Sequence, residues 1–260
     1  MIIPFNKYEG TGNDFIIVKN SPRLLDHNDN NIFKSLCDRH FGIGADGLIL
    51  IEESPGYDFR MLYYNADGSP GEMCGNGGRC AAHFVMKHFT GPRNLSFLAG
   101  DGPHTASVAG DDIIEISVRD VTEARKTPDG ILVNTGVPHL VIFADDTEMA
   151  DFVTFARGLR YSPRYAPEGV NVNLVAVTDK GLRIRTYERG VEDETLSCGT
   201  GATASVIAAA LTGKIVTGDT RVSVRGGELQ IRFVTDGAGA SEIFLAGPAT
   251  FVFSGETEIQ

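Results

Sequence analysis

Asn65-Ala-Asp-Gly-Ser-Pro-Gly-Glu-Met-Cys-Gly-Asn-Gly-Gly-Arg-Cys80 has an echo later in the chain, Tyr187-Glu-Arg-Gly-Val-Glu-Asp-Glu-Thr-Leu-Ser-Cys-Gly-Thr-Gly-Ala202. Each stretch sets one cysteine, Cys74 or Cys198, in a turn of small residues. A run that reads as a helix follows each turn, Cys80-Ala-Ala-His-Phe-Val-Met-Lys-His-Phe89 and Ala202-Thr-Ala-Ser-Val-Ile-Ala-Ala-Ala-Leu211. The first N–H groups of a helix lack intrahelical partners, and the macrodipole places partial positive charge there. A thiol in that position can fall from a pKa of about 8.5 to roughly 3.5–7.5. The same geometry suits a carboxylate.

The two cysteines are 124 residues apart. That offset also lays Gly12-Asn-Asp-Phe-Ile-Ile-Val18 over Gly136-Val-Pro-His-Leu-Val-Ile142, and Gly47-Leu-Ile-Leu-Ile51 over Asn171-Val-Asn-Leu-Val175. One offset kept by separate landmarks indicates a duplicated unit. Short apolar strands alternate with helical patterns, at Asn30–His40 and around Phe152, Phe155, Ala156 and Leu159. The expectation is a mixed α/β chain of two repeats, residues 1–121 with Cys74 and 122–248 with Cys198. The polar stretch Thr122–Asp129 reads as the linker.

Bulk properties narrow the functional class. The chain has 260 residues, 42% hydrophobic and 22% charged, with a net charge of −11; the pI is near 5.0 and the mean hydropathy −0.05. That charge, without a basic cluster, argues against a nucleic-acid partner. No apolar run approaches the roughly 20 residues of a spanning helix, and Met1–Lys7 lacks the features of a signal peptide. A cytoplasmic enzyme is expected. The four cysteines do not make a disulfide scaffold in that compartment. Gly42-Ile-Gly-Ala-Asp-Gly47 spells G-x-G-x-x-G, but a helix precedes it and a strand follows. That order is the reverse of a dinucleotide site, so a glycine-rich turn is expected.

Two symmetric thiols suggest acid/base chemistry across a cleft between the repeats. Inverting a carbon centre needs a base on one face and an acid on the other, and a thiolate and thiol can exchange these roles. Backbone N–H groups around Gly75-Asn76 and Gly199-Thr200 would stabilise charge growing on a substrate carboxylate. Nothing in the sequence indicates a pyridoxal lysine or a metal site, and the Cys74–Cys80 spacing is not that of zinc. Cys37 and Cys80 read as packing residues. Asn13, Asn65, Asn171, Glu188 and Arg189 fall at strand-end turns, where asparagine is also common for backbone reasons. Glu188 and Arg189 offer a carboxylate for an ammonium and a cation for a carboxylate, or a surface ion pair. His139 reads either as a group polarising a thiol or as a structural histidine. A Cys74–Cys198 redox pair is a reading of a different class; it leaves Glu188, Arg189 and the asparagines without a role.

From end to end the chain resembles the diaminopimelate epimerase family. The matching motifs are Gly12-Asn-Asp-Phe15, Gly42-Ile-Gly-Ala-Asp46, Asn65-Ala-Asp-Gly-Ser69, Cys74-Gly-Asn-Gly77, Pro138-His139, Val170-Asn-Val172, Glu188-Arg-Gly190 and Cys198-Gly-Thr-Gly-Ala202. The resemblance implies interconversion of L,L- and meso-diaminopimelate without pyridoxal or any other cofactor, on the route to lysine and peptidoglycan. It implies two similar domains, each a curled, barrel-like sheet around a central helix, with residues 249–260 returning to the first, and a homodimer. By position, Cys74 and Cys198 resemble the acid/base thiols, and His139 and Glu188 the polar groups beside them. Asn13, Asn65, Asn171, Glu188 and Arg189 resemble contacts to the substrate's far end. Gly75, Asn76, Gly199 and Thr200 resemble the carboxylate cradle. Another cofactor-independent amino-acid racemase on the same fold is the nearest alternative.

The chain departs from the family pattern at three points. Gly47 stands where many members have glutamine, and Val137 where many have asparagine. One additional residue lies between Gly190 and Cys198. Each bears on hydrogen bonding at the substrate's far end, where one neutral bond is worth about 0.5–1.5 kcal/mol.

Overall fold

Apolar runs too short for a helix become strands, and the small-residue runs after the two cysteines become helices. The computed structural model describes residues 1–89, 93–122, 124–216, 218–235, 237 and 239–259. The chain divides into two units, Met1–Ile116 with Ala246–Gln260, and Ser117–Leu245. The first half of the chain runs β1 (Ile2–Gly10), β2 (Asn13–Lys19), α1 (Asn30–Cys37), β3 (Gly47–Ser54), β4 (Tyr57–Asn65), β5 (Pro70–Gly71), α2 (Gly75–His88), β6 (Asn94–Ala99), β7 (Gly102–Gly110) and β8 (Ile113–Ser117). The second begins with β9 (Ala124–Thr127), β10 (Gly130–Asn134), β11 (Pro138–Ala144), α3 (Phe152–Arg160), β12 (Asn171–Thr178), β13 (Gly181–Glu188) and β14 (Asp193–Thr195). It continues with α4 (Gly199–Leu211), β15 (Thr220–Val224), β16 (Gly227–Thr235) and β17 (Ala240–Pro248), and β18 (Thr250–Glu258) ends the chain.

The repeat is visible in the strand register. β2 and β3 are parallel with Phe15 opposite Gly47, and β11 and β12 are parallel with His139 opposite Asn171. These pairs keep the 124-residue offset seen in the sequence. The antiparallel partner follows in both, β4 on β3 and β13 on β12, and then a second parallel pairing, β4 with β6 and β13 with β15. Each unit is a mixed sheet curled around one helix, α2 or α4.

Strands sandwiched between two helices are apolar on both faces. In the first unit Ile16, Val18, Leu48 and Leu50 pack in one cluster with Phe33, Leu36 and Cys37 of α1. On the opposite face, Phe15 and Ile49 approach α2, where a Cβ at Gly77 would lie 3.1 Å from Ile49 and 3.4 Å from Phe15. In the second unit Leu140, Val172 and Leu174 pack with Phe152 and Ala156 of α3. Helix α4 is apolar all round and buried over most of its length, as a helix inside a curled sheet must be. Its Ala202, Ala204, Ala208 and Ala209 are fully buried and let the strands come close.

Two features depart from the sequence reading. Thr122–Asp129 is not a linker: Ala124–Thr127 form β9, which pairs antiparallel with β10, while Glu123 lies outside the described residues. A polar strand paired on a sheet margin carries no apolar alternation to announce it. Residues 2–10, which the sequence does not mark as a strand, form β1. Its Ile3 and Phe5 turn inward while Ile2 and Pro4 face out, and it pairs with β2 on one side and β18 on the other. Cys37 and Cys80 are buried free thiols within the packing, as their positions in the helical patterns indicate. Burial pushes both thiols above the ordinary cysteine range, Cys37 to about 12.

Candidate active site

Cys74 and Cys198 occupy equivalent places. Each is the residue before a helix, in extended conformation, with φ/ψ of −128°/118° and −127°/107°. A strand-to-helix turn with glycine next in line brings the backbone N–H groups of Gly75 and Asn76, or Gly199 and Thr200, to the sulfur's end of the helix.

In the first unit Cys74 Sγ accepts from Gly77 N at 3.5 Å and lies 3.7 Å from Asn13 Oδ1. Asp46 sets the orientation of Asn13: its carboxylate can only accept, so Asn13 Nδ2 donates to it at 2.8 Å. Asn13 Oδ1 therefore faces the sulfur, and it also accepts from Asn76 Nδ2 at 3.1 Å. Arg39 bonds both Asp14 and Asp46 at 2.7 Å, and Lys7 pairs with Asp14 at 2.7 Å. Burial alone would raise the Asp14 carboxyl, but hydrogen bonds from Arg39 and Lys7 outweigh it and hold the carboxyl at about 2. Asn65 ends β4, and its Nδ2 donates to Ser69 Oγ at 3.2 Å within its own turn. Thus Cys74, Asn13, Gly75 and Asn76 come together, while Asn65 bonds locally opposite Gly47. The ring of Tyr63 fills the space beside Gly47: a Cβ there would lie 2.6 Å from Tyr63 and 2.7 Å from the Tyr64 carbonyl.

In the second unit the polar groups form a chain. Thr186 Oγ1 donates to Asn173 Oδ1 at 2.9 Å, and Asn173 Nδ2 lies 3.4 Å from the Leu140 carbonyl and 3.1 Å from His139 Nδ1. A carbonyl takes only a donor, so the Asn173 amide is oriented and His139 Nδ1 must accept. The imidazole proton then sits on Nε2, 3.0 Å from Thr200 Oγ1, which is in turn 3.4 Å from Cys198 Sγ. Full burial holds the His139 pKa down at about 3, so the ring is neutral at physiological pH. Asn171 Oδ1 accepts from the Arg189 backbone N–H at 2.7 Å, and its Nδ2 lies 3.4 Å from His139 Nε2, a longer approach than the Asn173 contact that favours the Nε2–H tautomer. Glu188 accepts from Thr195 Oγ1 on the adjoining strand. The Arg189 guanidinium reaches the Glu168 carbonyl at 3.5 Å. Between Gly190 and Cys198 the chain makes a turn where Glu192 has a φ of 58° and bonds Arg160 at 2.9 Å.

Three residues with a part in this site were not singled out in the sequence. Asn173 looks like one more polar position in a strand, and Thr186 like an ordinary β-branched strand residue. Arg79 is completely buried under the Cys74 turn. Its only sequence signal is a lone charge in a run of glycine, alanine and cysteine. No group of three or more potential metal ligands occurs among the described residues.

The architecture is shared with solved structures of low sequence identity. A phenazine biosynthesis protein of the PhzF family from Bacillus anthracis superposes with a TM-score of 0.78 at 14% identity, covering 100% of both chains. A hydroxyproline epimerase from Agrobacterium vitis superposes with a TM-score of 0.72 at 13% identity, covering 98% of this chain and 92% of that one. At these identities the likeness concerns the fold alone, a two-repeat α/β architecture.

Sequence comparison is more specific. The diaminopimelate epimerase family model matches residues 5–121 and 131–252. A diaminopimelate epimerase from Flavobacterium psychrophilum is 46% identical over 248 residues, 95% of this chain and 97% of the relative. The chain belongs to the diaminopimelate epimerase family. It is an isomerase of the racemase and epimerase class.

Proposed function

We propose that this protein interconverts L,L- and meso-diaminopimelate, with Cys74 and Cys198 as the two acid/base groups, in the supply of lysine and peptidoglycan precursors. The observation that carries the reading is the equivalence of the two cysteines: same helix-start position, same backbone conformation, one per unit. One sulfur, as thiolate, takes the α-proton and leaves the electron pair on the α-carbon, delocalised into the carboxylate. The other, as thiol, returns a proton to the opposite face. The two protonation states are then exchanged, so the enzyme is set for the reverse substrate. Backbone N–H groups of Gly75, Asn76, Gly199 and Thr200 stabilise the carboxylate as it gains charge, in the manner of an oxyanion hole. On the Cys198 side, His139 Nε2–H donates to Thr200 and the threonine hydroxyl to the sulfur. Asn13, Asn65, Asn171, Glu188 and Arg189 are assigned to the substrate's far amino-acid end.

The reaction runs in the cytoplasm, where thiols stay reduced, and the protein is a homodimer. Ile2 and Val252, 64% and 52% exposed on the paired strands β1 and β18, support the dimer. Sedimentation of the intact chain as a monomer at micromolar concentration would remove that part of the proposal.

Proton NMR in D2O tests the reaction. Reduced protein with L,L-diaminopimelate should lose the α-proton signal and produce the meso isomer, and Cys74→Ala and Cys198→Ala should each abolish turnover. An unchanged signal with folded, reduced protein rules out this substrate. Turnover by either alanine variant rules out the two-thiol assignment.

A further inference from the structure

Arg79 lies on α2, one and a half turns past Cys74, and none of its side chain reaches solvent. Removing a guanidinium from water is costly unless a counter-charge or a full set of acceptors replaces the water. Among the described residues, Arg79 forms no ion pair. Its Nη2 donates to Asn76 Oδ1 at 3.0 Å and approaches Thr11 Oγ1 at 3.5 Å. Nη1 donates to the Gly75 carbonyl at 3.3 Å, and Nε to the Pro248 carbonyl at 3.4 Å. All of these acceptors are neutral, so the positive charge is not cancelled by a contact. The space is tight as well, since a Cβ on Gly10 would lie 3.3 Å from Nη2.

Two of the contacts belong to the thiol's own turn. Gly75 and Asn76 are the residues directly after Cys74. Asn76 Oδ1 is held by Arg79, so its Nδ2 points at Asn13 Oδ1, the same oxygen that faces the sulfur. Arg79 therefore orients the Asn76 amide, which meets the Asn13 amide set by Asp46, and its buried charge lies one and a half turns along the helix from the half-buried sulfur. The other charged groups nearby are accounted for. Asp14 is paired with Lys7 and Arg39, and Asp46 with Arg39. Glu9 accepts from the Gly12 N–H at 2.8 Å, and Cys80 beside Arg79 is buried and neutral.

We propose that Arg79 is a positioning residue for Cys74: its buried guanidinium locks the Asn76–Asn13 pair against the sulfur and stabilises the thiolate form there. This rests on the reading of Cys74 as an acid/base thiol and adds how that thiol is balanced. Asn13 Oδ1 accepts from the protonated form, while Arg79 and the Gly77 N–H favour the ionised one. A group that must act as both acid and base needs such opposing influences, so that neither form dominates near the working pH. The second unit achieves this differently, because the position equivalent to Arg79 is Thr203, whose hydroxyl bonds the Gly199 carbonyl at 2.9 Å.

The test is the rate of alkylation of Cys74 by iodoacetamide as a function of pH, read by peptide mass spectrometry so that each cysteine is followed separately. In Arg79→Met the midpoint for Cys74 should rise by about one unit or more, tenfold fewer thiolates below it. The midpoint for Cys198 should stay unchanged, and the acidic limb of kcat/KM should move with Cys74. Arg79→Lys keeps a cation but cannot reach Asn76, Gly75 and Thr11 together; it should recover part of the midpoint and less of kcat. If Arg79→Met does not fold, Arg79→Lys decides: a wild-type midpoint together with wild-type kcat overturns the proposal. An unshifted Cys74 midpoint in folded Arg79→Met also overturns it. Because alkylation reads the thiol itself, this outcome is separate from failure of the catalytic assignment, which Cys74→Ala addresses.

Discussion

Asn173 Nδ2 sits 3.1 Å from His139 Nδ1, and the other end of the same amide accepts from Thr186. This contact, shorter than the 3.4 Å approach of Asn171 Nδ2 to Nε2, favours the tautomer with the imidazole proton on the side of Thr200 and Cys198. Asn173→Asp replaces the donor by a carboxylate that draws the imidazole proton to Nδ1. Nε2 then becomes an acceptor, and the Thr200 hydroxyl turns toward the ring and away from the sulfur. We expect kcat to fall by on the order of 10²–10⁴, the range of one acid/base contribution, with the circular dichroism spectrum unchanged. Activity within twofold of wild type would show that the relay has no part in turnover.

His139 also sets the acid limit of the second unit. Its folded pKa, about 3 because of burial, is below the ordinary 6.5. As pH falls below 6.5 the unfolded chain binds a proton that the folded chain does not, so folding stability declines. The decline is on the order of 1.4 kcal/mol for each pH unit until the folded ring titrates near 3. Urea unfolding at pH 7 and pH 5 should show the loss, and His139→Gln should flatten it. An equal slope in the variant would place the acid sensitivity elsewhere.

Asp14 acts at lower pH. With its carboxyl held at about 2 by Arg39 and Lys7, its contribution is complete above the unfolded value of 3.8 and lost as pH falls through 2. Asp14→Asn should cost about 1–2 kcal/mol at neutral pH, and the difference from wild type should shrink as pH falls below 3.8 and close only below pH 2. Denaturant midpoints at pH 7 and pH 2.5 measure both effects, and a difference independent of pH would point to packing rather than charge.

Two helical glycines should respond in opposite directions to alanine. A Cβ at Gly201 in α4 would lie 2.5 Å from Asn173 Oδ1 and 3.3 Å from both Cys198 Sγ and Thr186 Oγ1. Gly201→Ala should therefore destabilise by about 1–3 kcal/mol through overpacking and lower kcat sharply. Gly158 in α3 is exposed, and a Cβ added there would meet nothing within 4 Å. Gly158→Ala should stabilise by about 0.5–1 kcal/mol without touching activity. Thermal melts of the two variants check both signs.

The sequence alone determined the duplication, the pairing of one thiol with each repeat, the two helix starts and the apolar strands around them. These are local properties: a small-residue turn before a helical run, and a constant spacing, are legible without knowing what packs where. Tertiary structure decided what depends on partners far apart in the chain. Residues 2–10 become the strand between β2 and β18, the second of which lies some 250 residues later in the chain. Asn13 turns its oxygen to Cys74 because Asp46 takes its amide hydrogen, and His139 loses its charge because the fold removes its water. Arg79 is, in the sequence, only a lone charge in a run of glycine, alanine and cysteine. Only the packing of β1, β2 and β18 against α2 buries it beside the Cys74 turn, where its charge is screened less than in water.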